Sequence, residues 1–317
     1  MNLSFYLITV LIWGTTWIAI KFQLGVVAPE LSIAYRFGLA ALLLALYCFL
    51  RRYSLKFTWR QHLAMALQGL LLFSANYFLV YLASQYLTSG LIAVVFSTII
   101  LMNIALNVLF FKKKVRQGVL FGALLGLVGI TLVFWPEIIG FDLSKSGSRG
   151  LLLAIISTAI SSAGNITSAY NQSRGLPVVQ GNAISMAYGA ILLLVFAIVR
   201  GTHFGFDPSP AYMISLGYLA LFGSVIAFGT YLTLIGRVGA DRAAYVAILF
   251  PIIALAISTV YEKYHWQMTG VIGVTLALAG NFFVLLQPQH LQLIKSRFRI
   301  PNAILNKSIV KNRSAKL

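Results

Sequence analysis

A chain of 317 residues with 60% hydrophobic and 9% charged residues, and a mean hydropathy of +0.89, is not that of a soluble domain, which carries roughly 25% charged residues. The formal net charge of +18 would suit a nucleic-acid binder, so the placement of the basic residues has to decide that point. The single cysteine, Cys48, excludes an internal disulfide and is silent on redox compartment.

Apolar stretches long enough to cross a bilayer core fall at 4–22, 33–50, 62–82, 88–111, 117–135, 150–170, 179–199, 211–235, 242–261 and 266–286. The expected fold is therefore an all-α membrane protein of ten transmembrane helices. The first stretch is not expected to be a cleaved signal peptide, because MNLSFYL lacks a basic leader and no small-residue cleavage site follows. Residues 136–149 form the longest outer connection, and residues 288–317 a basic cytoplasmic tail, disordered or surface-bound.

The ten stretches divide into two copies of one unit. Gly122 and Gly129 match Gly273 and Gly280 at a displacement of 151, and Trp13-Gly14-Thr15 aligns with Ala163-Gly164-Asn165 at 150. The repeats are placed at 1–135 and 150–287, with five helices each. An odd number of spans per copy turns the second copy upside down relative to the first, the inverted plan of many secondary transporters.

With the N-terminus inside, the inner connections and tail hold 18 lysines and arginines and the outer side six. Both termini are thus expected in the cytoplasm. The basic surplus serves topology and attraction to anionic lipid, not nucleic acid.

Chemistry for an enzyme is missing. No phosphate-binding loop is present. His62, His203, His265 and His290 all lie at or beyond helix ends, so neither a metal nor a cofactor is expected in the membrane. Ser157, Ser161 and Ser162 cluster without a histidine or lysine in their layer.

Several pieces together resemble a known family: Ile12-Trp13-Gly14-Thr15-Thr16-Trp17 with Lys21, Arg36 after Pro29, the Pro251 helix with Glu262, and the duplicated glycine pairs. Over residues 4–287 the chain is similar to the drug/metabolite transporter superfamily, in the branch built from two EamA domains. That resemblance implies an inner-membrane carrier, commonly an exporter, of amino acids or other small metabolites. It also implies a central cavity between the two halves. The sequence departs from the family at Thr98, where proline is common, at basic Lys112–Lys114 in place of an acidic residue, and in the sixth helix, which lacks the tryptophan of the first. The two halves are not equivalent, and an asymmetric substrate position follows.

Polar side chains within spans must face protein or a watery cavity. On that ground Trp17, Asn76, Tyr77, Tyr81, Asn165, Tyr231 and Tyr245 are candidates to line the cavity, with interhelical hydrogen bonding as the competing reading. Lys21 and Arg36 form either an electropositive outer vestibule for a substrate carboxylate or a snorkelling pair bridged to Glu30. Pro251 and Glu262 are assigned to gating. None of the six acidic residues falls in the middle of a span, so transport without a dedicated proton site is expected, with Glu262 as the exception if its helix bends. The expected function is secondary transport of a small organic metabolite by a monomer or homodimer in membrane lipid. The alternative is a membrane sensor or assembly subunit that transports nothing.

Overall fold

The computed structural model describes residues 2–87, 89–112, 115, 117–141, 145–261 and 267–285. The chain divides into residues 1–284 and 285–317, and of the second unit only Leu285 is described, so the expected basic tail lies outside the described residues.

All regular structure among the described residues is helical. In the first half the helices are α1 (Asn2–Lys21), α2 (Pro29–Leu50), α3 (Trp59–Ala83), α4 (Ser89–Ser97), α5 (Ile99–Phe111), α6 (Gln117–Val133) and the short α7 (Trp135–Ile139). The second half holds α8 (Lys145–Ser173), α9 (Val178–Val199), α10 (Pro210–Val238), the single turn α11 (Ala240–Ala243), α12 (Val246–Tyr261) and α13 (Met268–Leu285).

Local chemistry explains the starts. α2 begins with Pro29, whose missing N–H falls among donors that a first turn leaves unused anyway. α3 begins with a reciprocal cap, the Thr58 hydroxyl accepting from the Gln61 backbone while the Gln61 side chain accepts from Thr58 N–H. α10 combines both devices, Ser209 capping Tyr212 N–H with Pro210 next in line. α8 starts five residues before the apolar stretch at 150, because the polar Lys145–Arg149 turn continues the helix outward.

Among the described residues six helical segments have the length and apolarity of a membrane span: Pro29–Leu50, Trp59–Ala83, Val94–Phe111, Ser146–Ser173, Val178–Val199 and Pro210–Val238. Further apolar helical segments among the described residues are Leu3–Thr16 within α1, Gln117–Val133 and Met268–Val284. The fourth stretch is one span in hydropathy but two helices in structure, broken at Thr98, whose hydroxyl turns back to Val95 O at 2.6 Å. A serine or threonine bonded to its own helix in this way competes with the ladder and bends it.

Packing runs between the halves. α2 lies along α9, and α6 lies against α13. α1 touches α10 and α12, while α8 touches α3 and the α4–α5 pair; α2 touches α10 while α9 touches α3. Exchanging the halves maps this set of contacts onto itself.

At the α6–α13 crossing only glycine permits the approach. A Cβ on Gly129 would stand 2.6 Å from both Ala277 N and Gly273 O, and one on Gly122 would stand 2.6 Å from Gly280 O. The matched glycines of the two copies are therefore packed on each other, the small-residue contact by which helices associate where lipid removes the hydrophobic drive.

Candidate functional site

The two longest interrupted helices share one irregularity. Leu71–Ala75 in α3 and Leu219–Ile226 in α10 are π-helical, with backbone bonds reaching five residues instead of four. A widened turn leaves carbonyls available to side chains, and such turns gather at functional sites. The two segments correspond at a displacement of 150: Ser74 and Ser224, Phe78 and Phe228, Tyr81 and Tyr231. Five of the six are buried or nearly so, Phe78 being partly exposed.

Around the second π turn, side chains from both halves converge. Trp13 Nε1 donates to Gly223 O at 3.3 Å, and Arg36 Nη2 donates to the same carbonyl at 3.4 Å. Arg36 Nε donates to Ser224 Oγ at 3.0 Å. The Trp13 ring packs on Tyr231 (4.8 Å) and edge-on to Phe228 (5.0 Å). Tyr231 Oη in turn accepts from Asn165 Nδ2 at 3.0 Å. On the other side the Arg36 guanidinium lies 5.0 Å from the Tyr77 ring centre and 5.2 Å from that of Phe37, cation–π distances. Asn165, Tyr231, Trp13, the Gly223–Ser224 turn, Arg36 and Tyr77 thus form one continuous seam.

Of the expected cavity residues, the structure places Tyr77, Tyr231 and Asn165 on this seam. Asn76, beside Tyr77, donates to Ser161 Oγ at 2.7 Å and accepts Ser157 Oγ on its carbonyl at 2.9 Å. Tyr81 is buried in the main core one turn further along α3. Tyr245 stands apart from the seam. Its hydroxyl is wedged between Gly126 and Gly280 and donates to Gly122 O at 2.7 Å, so it seals the α6–α13 crossing. The side chain of Trp17 and that of Lys21 lie outside the described residues, as does Glu262.

Arg36 is only 3% exposed and stands seven residues past the start of α2, roughly 10 Å along the helix at about 1.5 Å per residue. It does not pair with Glu30. That carboxylate accepts from Thr202 Oγ1 at 2.7 Å and from Arg200 Nη1 at 3.5 Å, tying the start of α2 to the segment after α9.

Pro251 lies inside α12 and is buried. Its ring leaves Ala247 O without the usual helical donor, and Ser97 Oγ, at the end of α4, supplies one at 3.1 Å. The break at Thr98 and the proline in α12 are thereby joined across the halves.

Sequence reasoning passed over Ser224, Phe228 and Ser97 and used Trp13 only as a marker of the repeat and of the resemblance. The displaced Ser, Phe and Tyr pattern of α3 and α10 was available as a signal for two of them. Among the described residues no three His, Cys, Asp or Glu side chains gather as a metal site would require.

Comparison with known proteins agrees with this architecture. The sequence profile of the EamA-like transporter family matches residues 2–135 and 148–286. The uncharacterized inner membrane transporter YedA of Escherichia coli (strain K12) is 31% identical over 289 residues, covering 88% of this chain and 90% of the relative. The uncharacterized transporter YoaV of Bacillus subtilis (strain 168) is 25% identical over 280 residues, covering 86% and 92%. A solved crystal structure superposes with a TM-score of 0.76 at 18% identity, covering 92% of this chain and 98% of that one, which speaks to the fold alone.

Proposed function

The chain belongs to the EamA-like transporter family, as a multi-pass membrane transporter and not an enzyme, and from that premise we propose that it is a secondary carrier of a small organic metabolite. The carrier has ten transmembrane helices in two inverted repeats, residues 1–135 and 150–287, with both termini in the cytoplasm. It works as an exporter or exchanger by alternating access, as a monomer or homodimer in membrane lipid. Its cargo is a compound with an apolar portion, such as an amino acid.

One observation carries the reading. The seam of Trp13, Arg36 and Tyr77 from the first half and Gly223, Ser224, Phe228 and Tyr231 from the second buries polar and charged groups between the two halves. Groups of that kind are expensive in a bilayer and mark pathways there. The contact set that survives exchange of the halves supports the repeat, and a repeat interface is where alternating access places the substrate. Trp17, Asn76, Tyr81, Asn165 and Tyr245 remain cavity candidates of this proposal, with Lys21 at the outer mouth and Pro251 and Glu262 in gating.

The test begins with a metabolite comparison between medium from overexpressing and null cells. The compound that differs is then used for counterflow in liposomes containing only this protein. Saturable counterflow is expected, reduced by Trp13→Ala and Tyr231→Ala. A protein that is folded and inserted but gives no counterflow with that compound would overturn the carrier reading.

A further inference from the structure

The Arg36 guanidinium has five N–H donors and can never be discharged at physiological pH. Nε is taken by Ser224 Oγ and one Nη2 donor by Gly223 O. Nη1 is buried and has no hydrogen-bond partner among the described residues. Each remaining acid with a described side chain is engaged elsewhere: Glu30 with Arg200 and Thr202, Asp207 with Ser209 N–H at 2.9 Å, and Asp241 with Asn107 Nδ2 at 3.3 Å. Among the described side chains no acid pairs with this cation, which is held among aromatic rings within the α2 span, an arrangement that folding alone does not favour. At the position displaced by 150 the other half carries Met186, fully buried and uncharged. The fold of this helix pair thus does not itself require a charge.

We infer that Arg36 is the anion-binding group of the transport site, that its free Nη1 receives a substrate carboxylate, and that the preferred cargo is an apolar organic monoanion and not a zwitterion. This rests on the carrier reading, keeps its apolar cargo, and replaces the amino acid named there with a monoanion as the preferred case. A carboxylate satisfies two parallel guanidinium donors at once. One fixed positive charge compensates one negative charge and leaves a dianion unbalanced. The rings of Trp13, Tyr77, Phe228 and Tyr231 stand where the apolar remainder of such a molecule would lie. An amino acid would bring an ammonium group as well. Glu30, Asp207 and Asp241, the acids with described side chains, are each committed elsewhere, so none of them neutralises it.

The experiment is equilibrium binding of radiolabelled phenylacetate to the purified full chain in detergent. Competitors are unlabelled phenylacetate, its methyl ester, phenylethylammonium and phenylalanine. Phenylacetate is expected to compete best, phenylalanine more weakly, and the ester and the ammonium compound hardly at all. Arg36→Met, which copies the other half, should weaken phenylacetate binding roughly 10- to 100-fold, the loss of a charge-assisted hydrogen bond. Arg36→Lys should bind less tightly than wild type yet still prefer the acid to the ester. If Arg36→Met does not fold, the competitor series on wild type and Arg36→Lys decides. Equal competition by ester or ammonium, undiminished binding by monodisperse Arg36→Met, or no saturable phenylacetate binding to wild type would each overturn the inference. Counterflow by the same wild-type protein separates the two readings. Phenylalanine moved without any preference for the acid leaves a carrier and removes the anion site, whereas phenylacetate bound but never moved leaves the anion site and removes the carrier.

Discussion

Gly129 offers a test of the packing in which the structure supplies both the perturbation and its control. An alanine Cβ there would lie 2.6 Å from Ala277 N, 2.6 Å from Gly273 O and 3.0 Å from Ala277 Cα, all of them backbone atoms of a facing helix. Carbon atoms rest about 3.5–4.0 Å apart at best contact, so α6 and α13 must separate by about 1 Å. Overpacking of this kind costs about 1–3 kcal/mol, against which alanine regains at most about 1 kcal/mol of helix propensity. Gly129→Ala is thus expected to destabilise by about 0–2 kcal/mol net, and by about 1–3 kcal/mol relative to the same change at an uncrowded glycine. At Gly118, one face and three turns earlier, the nearest heavy atom to an added Cβ is Phe283 O at 3.6 Å, an ordinary contact. Gly118→Ala should be neutral, or gain up to about 1 kcal/mol. The assay is thermal denaturation of the purified protein in one detergent, followed by loss of monodisperse material. Gly129→Ala combined with Gly273→Ala should lose less than the sum of the two, since helices already parted accept the second methyl more cheaply. Equal midpoints for Gly118→Ala and Gly129→Ala would refute the reasoning.

Two further predictions follow from the same contacts. Ser97→Ala should lower stability by about 0.5–1.5 kcal/mol, because it leaves Ala247 O unpaired behind Pro251. The same change should be near neutral in Pro251→Ala, where the helix recovers its own donor, and a double-mutant cycle in thermal stability that shows no coupling would refute the link. For topology, cysteines at Lys56 and Phe204, both exposed, in a Cys48→Ala background should label with impermeant maleimide from opposite faces of the membrane. Labelling from the same face would refute the proposed arrangement of the first seven spans.

Much of the architecture was legible because lipid imposes one rule on every span. Apolar stretches had to become helices, and their described residues are helical apart from turns such as Thr98 and Ala244–Tyr245. Glycines at matched positions marked the repeat, and in the structure Gly122 and Gly129 lie on Gly280 and Gly273. The break at Thr98 was harder to see, since hydropathy continues smoothly across it. Arg36 read as an interfacial residue because it stands three residues into the expected stretch 33–50, where a long side chain can reach the membrane surface. Its burial depends on acceptors at Gly223 and Ser224, nearly 190 positions away in sequence, and no local pattern announces a carbonyl freed by a π turn. Tyr245 and Tyr231 were indistinguishable as tyrosines in spans. One hydroxyl serves a glycine crossing and the other an asparagine on the seam, a difference made by tertiary neighbours alone.

The two halves match in their contacts and differ in what they present at those contacts. Ser74 and Ser224 occupy corresponding π turns, but among the described residues only Ser224 meets a charged side chain, the position equivalent to Arg36 being Met186. Trp13 reaches the turn at Gly223, while its equivalent, Ala163, has no ring or N–H to offer the turn near Phe73. A scaffold with near-equivalent halves can exchange their conformations at little energetic difference, which suits alternation between two access states. A charge placed in both halves would hold two anions, or hold one equally well at two places, and neither helps a single cargo cross. Placing the guanidinium and the indole on the first half and their acceptors on the second makes the proposed substrate contact depend on how the halves are joined. The asymmetry in chemistry, laid over symmetry in packing, is then what would couple binding of the cargo to movement of the repeats.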